Sequence, residues 1–264
     1  MTHHVFPTMR WIILVDQAAD GPWNMAVDQA LLQHAERAGA ATLRLYSWDP
    51  ATLSFGRNEL AQRRYDRAAI DRQALPTVRR PTGGRAVWHD DELTYAVAAP
   101  SEGFGTLRQA YREIHALLAE ALMSLGAAVG LAADRPAVGV GAGACFASAA
   151  GGEVVALGGG KVVGSAQVRG EGAFLQHGSI ILGGAQERVA AVTLGAADPP
   201  NVVALRTLLP PERATREAVA KAVAQTAARR WNVSAEPGAL PDDVRRAAEA
   251  LLPRYRDPAW TWRR

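Results

Sequence analysis

Residues 158–180, GGGKVVGSAQVRGEGAFLQHGSI, decide the fold. Gly158, Gly159 and Gly160 supply the positive-φ positions that a tight hairpin needs between EVVAL (residues 153–157) and KVVGSAQ (residues 161–167). A second strand, AFLQHGSIIL, follows at residues 173–182. Period two puts Lys161, Val163, Ser165 and Gln167 on one face. Gly164 and Ala166 face the other way, where backbone can be approached closely. Of 29 lysines and arginines only two are lysines, Lys161 and Lys221. A lysine behind three glycines has two readings. It is a solvent-facing charge that keeps an edge strand from pairing, or a group whose proton can leave, which the proton of arginine does not.

Outward from this stretch the chain alternates between the two periods. Asn24 is a candidate cap for a helix with Val27, Leu31, Ala35 and Ala38 on its apolar face and Gly39 as its stop. TLRLYSW and ATLSFG read as strands joined by an Asp49-Pro50 turn. Residues 66–74 read as a short helix, and residues 78–100 as strand, glycine turn and strand. Thr106 and Gln109 form a capping box for a helix striped by Leu107, Tyr111, Ile114, Leu118, Ala121 and Leu125, with Gly126 as its stop. Residues 214–231 and 242–252 read as further helices, and the aromatic tail YRDPAWTWRR is expected to pack back onto the body. The pattern predicts an α/β fold with a mixed, largely antiparallel sheet flanked by helices. No boundary breaks the chain, so it reads as one catalytic domain over residues 1–264. Its core is about residues 11–231, and a helical segment, residues 232–264, packs on it.

Composition excludes several classes. The net charge is +3, without a basic stripe interleaved with aromatics, which argues against nucleic-acid binding. The most apolar long stretch, ALLAEALMSLGAAVGLAA, carries Glu120 and reads as amphipathic helix running into strand, not as a membrane span. The opening apolar run is too short for a signal peptide, and the lone Cys145 excludes an internal disulfide, so a cytoplasmic protein is expected.

The remaining motifs each carry a plain and a chemical reading. In RRPTGGRAVWH, residues 79–89, Arg80, Thr82, Gly83, Gly84 and Arg85 form either a solvated turn or a loop presenting N–H groups and a guanidinium to a phosphate or carboxylate. His89 precedes Asp90 and Asp91, but no second His or Cys stands at ligand spacing, so no metal is expected. GVGAGACF, residues 139–146, superficially matches a dinucleotide fingerprint without its strand and helix. It reads instead as a permissive loop delivering Cys145, either an inert buried thiol or a nucleophile. His177 in LQHGS is a satisfied core histidine or a site residue.

Taken together, RRPTGGRAVWHDDELTYAV, then ACF, then GGGKVVGSAQ with LQHGS, resembles the lipoate–protein ligase and biotin ligase superfamily, and within it the cysteine-dependent octanoyltransferases of the LipM type. The likeness spans about residues 11–231 and departs from that pattern at ASAAGG, residues 147–152. It implies the catalytic fold shared with biotin synthetases and class II aminoacyl-tRNA synthetases. It implies octanoyl transfer from octanoyl-acyl carrier protein to a lysine of a lipoyl domain, with the glycine cleavage H protein as acceptor. Cys145 and Lys161 are then catalytic. Arg80, Thr82, Gly83, Gly84, Arg85, His89, Gly164, Ser165, Ala166, Gln167, His177 and Gly178 would bind substrate, with the N–H groups of residues 164–166 facing the oxyanion. No cofactor is implied. The alternatives are an ATP- and Mg-dependent lipoate–protein ligase, a lipoyl amidotransferase, and a non-catalytic acyl-binding protein. Cys145→Ser separates the first, since a ligase survives it.

Overall fold

A computed structural model describes residues 9–133, 151–195 and 200–264. In chain order the elements are β1 (Trp11–Val15), α1 (Gly21–Ala38), β2 (Ala41–Tyr46), β3 (Thr52–Phe55), α2 (Ala61–Arg64), α3 (Arg67–Arg72), β4 (Thr77–Arg79), β5 (Val87–His89), β6 (Glu92–Pro100), α4 (Leu107–Ser124), β7 (Val129–Leu131), β8 (Val154–Ala156), β9 (Val163–Arg169), β10 (Ala173–Ile181), α5 (Glu187–Ala191), α6 (Arg216–Trp231), α7 (Asp242–Arg256) and α8 (Pro258–Thr261).

The large sheet runs β1-β2-β6-β10-β9. Only β1–β2 is parallel; the other three pairings are antiparallel. Along β6, Leu93, Tyr95, Val97 and Ala99 face the core under α4 and α6. Ala96 and Ala98 face the core under α1 and α7. Both faces are therefore covered, and β6 and β10 are buried almost throughout. A small sheet, β4-β3-β5, lies on the α1 side, and β7 pairs with β8. The expected Asp49-Pro50 turn is present, but it leads β2 of the large sheet into β3 of the small one instead of closing a hairpin.

Capping chemistry sets most helix ends. Thr106 and Gln109 close the capping box of α4, and Gly39 ends α1 at φ 61°. α6 starts two residues later than the sequence pattern predicts because Thr215 takes the N-cap. α7 continues through Pro253. The cap of α1 corrects an expectation: Asp20, not Asn24, accepts the Trp23 N–H. Asn24 lies within the helix, and its amide reaches the carbonyls of Ala19 and Ser47, which frees α1 to begin a turn earlier. The tail does pack back. Trp262 joins the core of the small sheet, and the fully buried Arg79 donates to the Thr261 carbonyl at 2.8 Å. Among the described residues no helix is long and apolar enough to cross a membrane.

Candidate active site

The large sheet divides the expected site residues between two faces. On the α1 face a pocket is lined by Arg80, His89, Gly164, Ser165, Ala166, His177 and Gly178, with Tyr46, Trp48, Val87 and Thr94. Thr82 lies behind it, fully buried, with its hydroxyl 2.6 Å from His177 Nε2. Arg80 acts mainly as a clamp. Its guanidinium bonds the Ser54 carbonyl and hydroxyl and the Gly83 and Arg85 carbonyls, so it fixes the glycine loop on β3. Gly56 lets this loop come close, since a Cβ there would stand 1.9 Å from the Gly84 oxygen.

The expected choice between core histidine and site histidine dissolves at His177. It lines the pocket, and both its ring nitrogens are committed. Nδ1 stands 2.8 Å from Asp28 Oδ2. Asp28 also receives Arg44 at 2.8 Å and the Tyr46 hydroxyl at 2.8 Å. Burial holds the His177 pKa below the ordinary value despite Asp28. The ring is therefore neutral, with Nδ1–H donating to Asp28 and Nε2 accepting from Thr82. Burial opposes the Asp28 charge, but the His177 hydrogen bond and then Arg44 keep its pKa below the usual carboxylate range. His89 is held by side chains at both ring nitrogens. Its nitrogens meet Ser54 Oγ at 2.6 Å and Glu92 Oε1 at 2.8 Å, and its ring stacks on Trp48 at 4.0 Å.

Lys161 is on the opposite face, toward α4. It is not a solvent-facing edge lysine: it is 3% exposed. It lies just before β9, bridged to Val155 and Val202, and its Nζ is 2.9 Å from Glu153 Oε2. Tyr111 donates to the same carboxylate at 3.0 Å. Four residues on from Lys161, Ser165 Oγ joins Tyr95 Oη at 2.7 Å and His115 Nε2 at 2.9 Å. Burial, and to a smaller extent the Lys161 charge, press the His115 pKa down to about 4. Gly178 is required here, because a Cβ would lie 2.4 Å from the Gly164 oxygen and 2.5 Å from Ser165 Oγ. Gln167 also faces α4, donating to the Leu107 carbonyl and Gln176, so it is not in the pocket.

Another expectation needs correction. Ile181 N–H bonds Val162 O at one end of the β9–β10 ladder, and Gly170 N–H bonds Ala173 O at the other. With the register Ser179↔Gly164 and His177↔Ala166, alternation spends the N–H groups of Gly164 and Ala166 on β10. Of the three expected oxyanion donors, only Ser165 N–H points off the sheet edge. Cys145 and the loop around it lie outside the described residues.

Sequence reading missed Asp28, Glu92, Glu153 and His115. Two of them left a local signal: Glu92 stands three residues from His89, which it meets at 2.8 Å, and Glu153 stands two residues from Val155, the hairpin partner of Lys161, on the same face. Asp28 and His115 meet the site only through the packing of α1 and α4 on the sheet.

The catalytic-domain family described as Lipoyl protein ligase A/B matches residues 20–228, and the chain belongs to it. Within that family it is similar to a protein named Octanoyltransferase LipM from Kyrpidia tusciae, 36% identical and aligned over 96% of this chain and 99% of the relative. A second Octanoyltransferase LipM, from Moorella thermoacetica, is 41% identical over 67% of this chain and 66% of its own length. The fold is shared with Ta0514, a putative lipoate protein ligase from T. acidophilum solved with lipoic acid, at a TM-score of 0.82, 18% identity, and coverage of 97% and 100% of the two chains.

Proposed function

We propose that this chain is an octanoyltransferase of lipoate assembly, acting in the cytoplasm. It takes the acyl group from octanoyl-acyl carrier protein onto Cys145 and passes it to a lysine of a lipoyl domain, with the glycine cleavage H protein as acceptor. The observation that carries this reading is the buried Lys161, held 2.9 Å from Glu153 beside the strand that walls the pocket.

The chemistry balances around that lysine. An acyl thioester is already activated, so neither ATP nor a metal is needed. The Cys145 thiolate, favoured by the Lys161 ammonium, attacks the carbonyl. The carrier leaves as a thiolate and takes the Lys161 proton. The resulting amine accepts a proton from the incoming lysine as that attacks the Cys145 thioester, and the Cys145 thiolate is regenerated. Ser165 N–H, which points off the edge of β9, serves as the oxyanion donor for either tetrahedral intermediate. Arg80, Thr82 and His177 hold the loop that shapes the pocket.

The test is an intact mass after mixing with octanoyl-acyl carrier protein without ATP. A single octanoyl adduct, labile to hydroxylamine, mapped to Cys145 and lost by about a thousandfold or more in Cys145→Ser, is expected. No adduct without ATP, but acylated acceptor from free octanoate with ATP, makes the chain a ligase instead.

A further inference from the structure

β9 is the edge strand of the large sheet. Its ladder phase turns the N–H and C=O of Ser165 and Gln167 away from β10, and no backbone hydrogen bond to them occurs among the described residues. From Gly164 at the pocket, the strand runs about 13 Å to Val168 at the usual rise per residue. There Val168 and Arg169 wall a second cleft, which Arg57, Pro81, Arg254 and Trp260 line together with one face of α1. Pro81 joins the two sites, because it stands between Arg80, which lines the pocket, and Thr82.

This cleft carries unanswered positive charge. Arg57, Arg169 and Arg254 of its lining are exposed, as is Arg263, which stacks on Trp260 and donates to the Arg57 carbonyl beside it. None of the four forms an ion pair among the described residues, unlike Arg256, which reaches Asp20 at 3.6 Å. Arg254 and Arg263 sandwich Trp260, their guanidinium carbons 3.6 and 3.9 Å from its ring centroid. Partial burial, then Arg264, Arg57 and Arg254, lower the Arg263 pKa, so the cluster repels itself. The one acid on the lining, Glu36, already accepts the Glu171 N–H at 2.8 Å.

We propose that this cleft and the outer edge of β9 form the track for the phosphopantetheine arm of the acyl donor's carrier protein. The phosphodiester sits among the arginines. The arm's amides pair with the outward-facing N–H and C=O of Gln167 and the C=O of Ser165, as in strand addition. The thioester arrives beside Ser165 N–H. An acceptor domain laid on this edge would use the backbone groups but leave the arginines unanswered. A phosphate on an extended amide chain answers both. The inference rests on the octanoyl-carrier reading.

The test compares wild type with Arg57→Gln/Arg169→Gln/Arg254→Gln, all exposed positions, after equal melting temperatures are verified. Single-turnover octanoylation is measured by intact mass with two donors: octanoyl-acyl carrier protein, and octanoyl-N-acetylcysteamine, which has the thioester but no phosphate and no protein. The carrier rate is expected to fall at least about tenfold at low salt, and the gap to narrow near 0.5 M salt. The small-donor rate is expected to stay within about twofold, since exposed charges remote from the pocket are screened. Equal loss with both donors overturns the track, as does no loss with either. Unchanged octanoylation with slowed delivery to a lipoyl domain also overturns it and gives the edge to the acceptor. A wild type that accepts octanoyl from neither donor removes the functional reading itself, and the track with it.

Discussion

Two buried ion pairs stand on opposite faces of the large sheet, and they are built differently. On the α1 face Arg44 meets Asp28 at 2.8 Å, and on the α4 face Lys161 meets Glu153 at 2.9 Å. Arg44 is tied in every direction. It also reaches Asp16 at 2.7 Å and the carbonyl and amide oxygens of Asn24, and it lies 3.9 Å over the Tyr46 ring. That pair ends in a neutral His177 and the Thr82 hydroxyl. A guanidinium does not release its proton at working pH, so this side carries fixed charge and fixes geometry. An ammonium can release its proton. On the mechanism proposed above, similar burial has different uses: the arginine side positions the loop, and the lysine side supplies the proton.

The widest break in this comparison is Lys161→Arg. It keeps the charge beside Glu153 but removes the mobile proton, and transfer is expected to fall about 10²–10⁴-fold. Lys221→Arg, exposed on α6, is the control and is expected to leave both stability and rate nearly unchanged. Steady-state transfer to a lipoyl domain is the readout. Near-wild-type turnover in Lys161→Arg would make Lys161 a fixed charge like Arg44.

Arg44→Lys is the mirror experiment. The ammonium cannot span Asp16, Asp28 and Asn24 together, so buried acceptors lose donors, and about 2–4 kcal/mol of stability is expected to go. The turnover of the folded fraction at low temperature is expected to stay within about threefold. Denaturant midpoints and rates measured on the same sample separate the two effects. A stable Arg44→Lys protein with lost turnover would assign chemistry to the arginine face.

The sequence made local structure legible and left cross-chain structure dark. The glycine hairpin before Lys161, the Thr106–Gln109 box and the Gly39 stop follow from residues a few positions apart. Seven of the fourteen expected site residues, among them Arg80, His89 and His177, line one pocket. The motifs did not reveal that Lys161 and Gln167 face α4 while Arg80 and His177 face α1, because facing depends on which strand each one pairs with. Asn24 looked like a cap because an Asn before an apolar helical run carries that signal. Its actual partners, Ser47 and Arg44, lie about twenty residues away and become neighbours only when α1 lies on the sheet. Asp28 and His177 are 149 residues apart, and nothing local to either announces the other.

The last effect to seek is in two buried histidines, His177 on the α1 face and His115 on the α4 face, whose pKa values are both shifted downward. His115 has its pKa pressed to about 4, while an unfolded histidine protonates near its ordinary value of about 6.5. Between those limits the unfolded chain binds the proton and the folded chain does not. The stability from this residue is therefore whole above about pH 6.5 and drains as pH falls toward 4, by up to roughly 3 kcal/mol. His177, also shifted downward, acts in the same direction. Melting temperatures are expected to drop from pH 7 to pH 4, with a shallower slope in His115→Gln. The shallower slope is the decisive part, because carboxylates contribute their own acid instability at lower pH. Adding Lys161→Gln sharpens the comparison further. Removing the nearby charge should raise the titration midpoint of His115 measured by NMR and leave that of His177 in place. If both midpoints move together, the sheet does not insulate its two faces, and the separation of a positioning side from a proton-handling side fails.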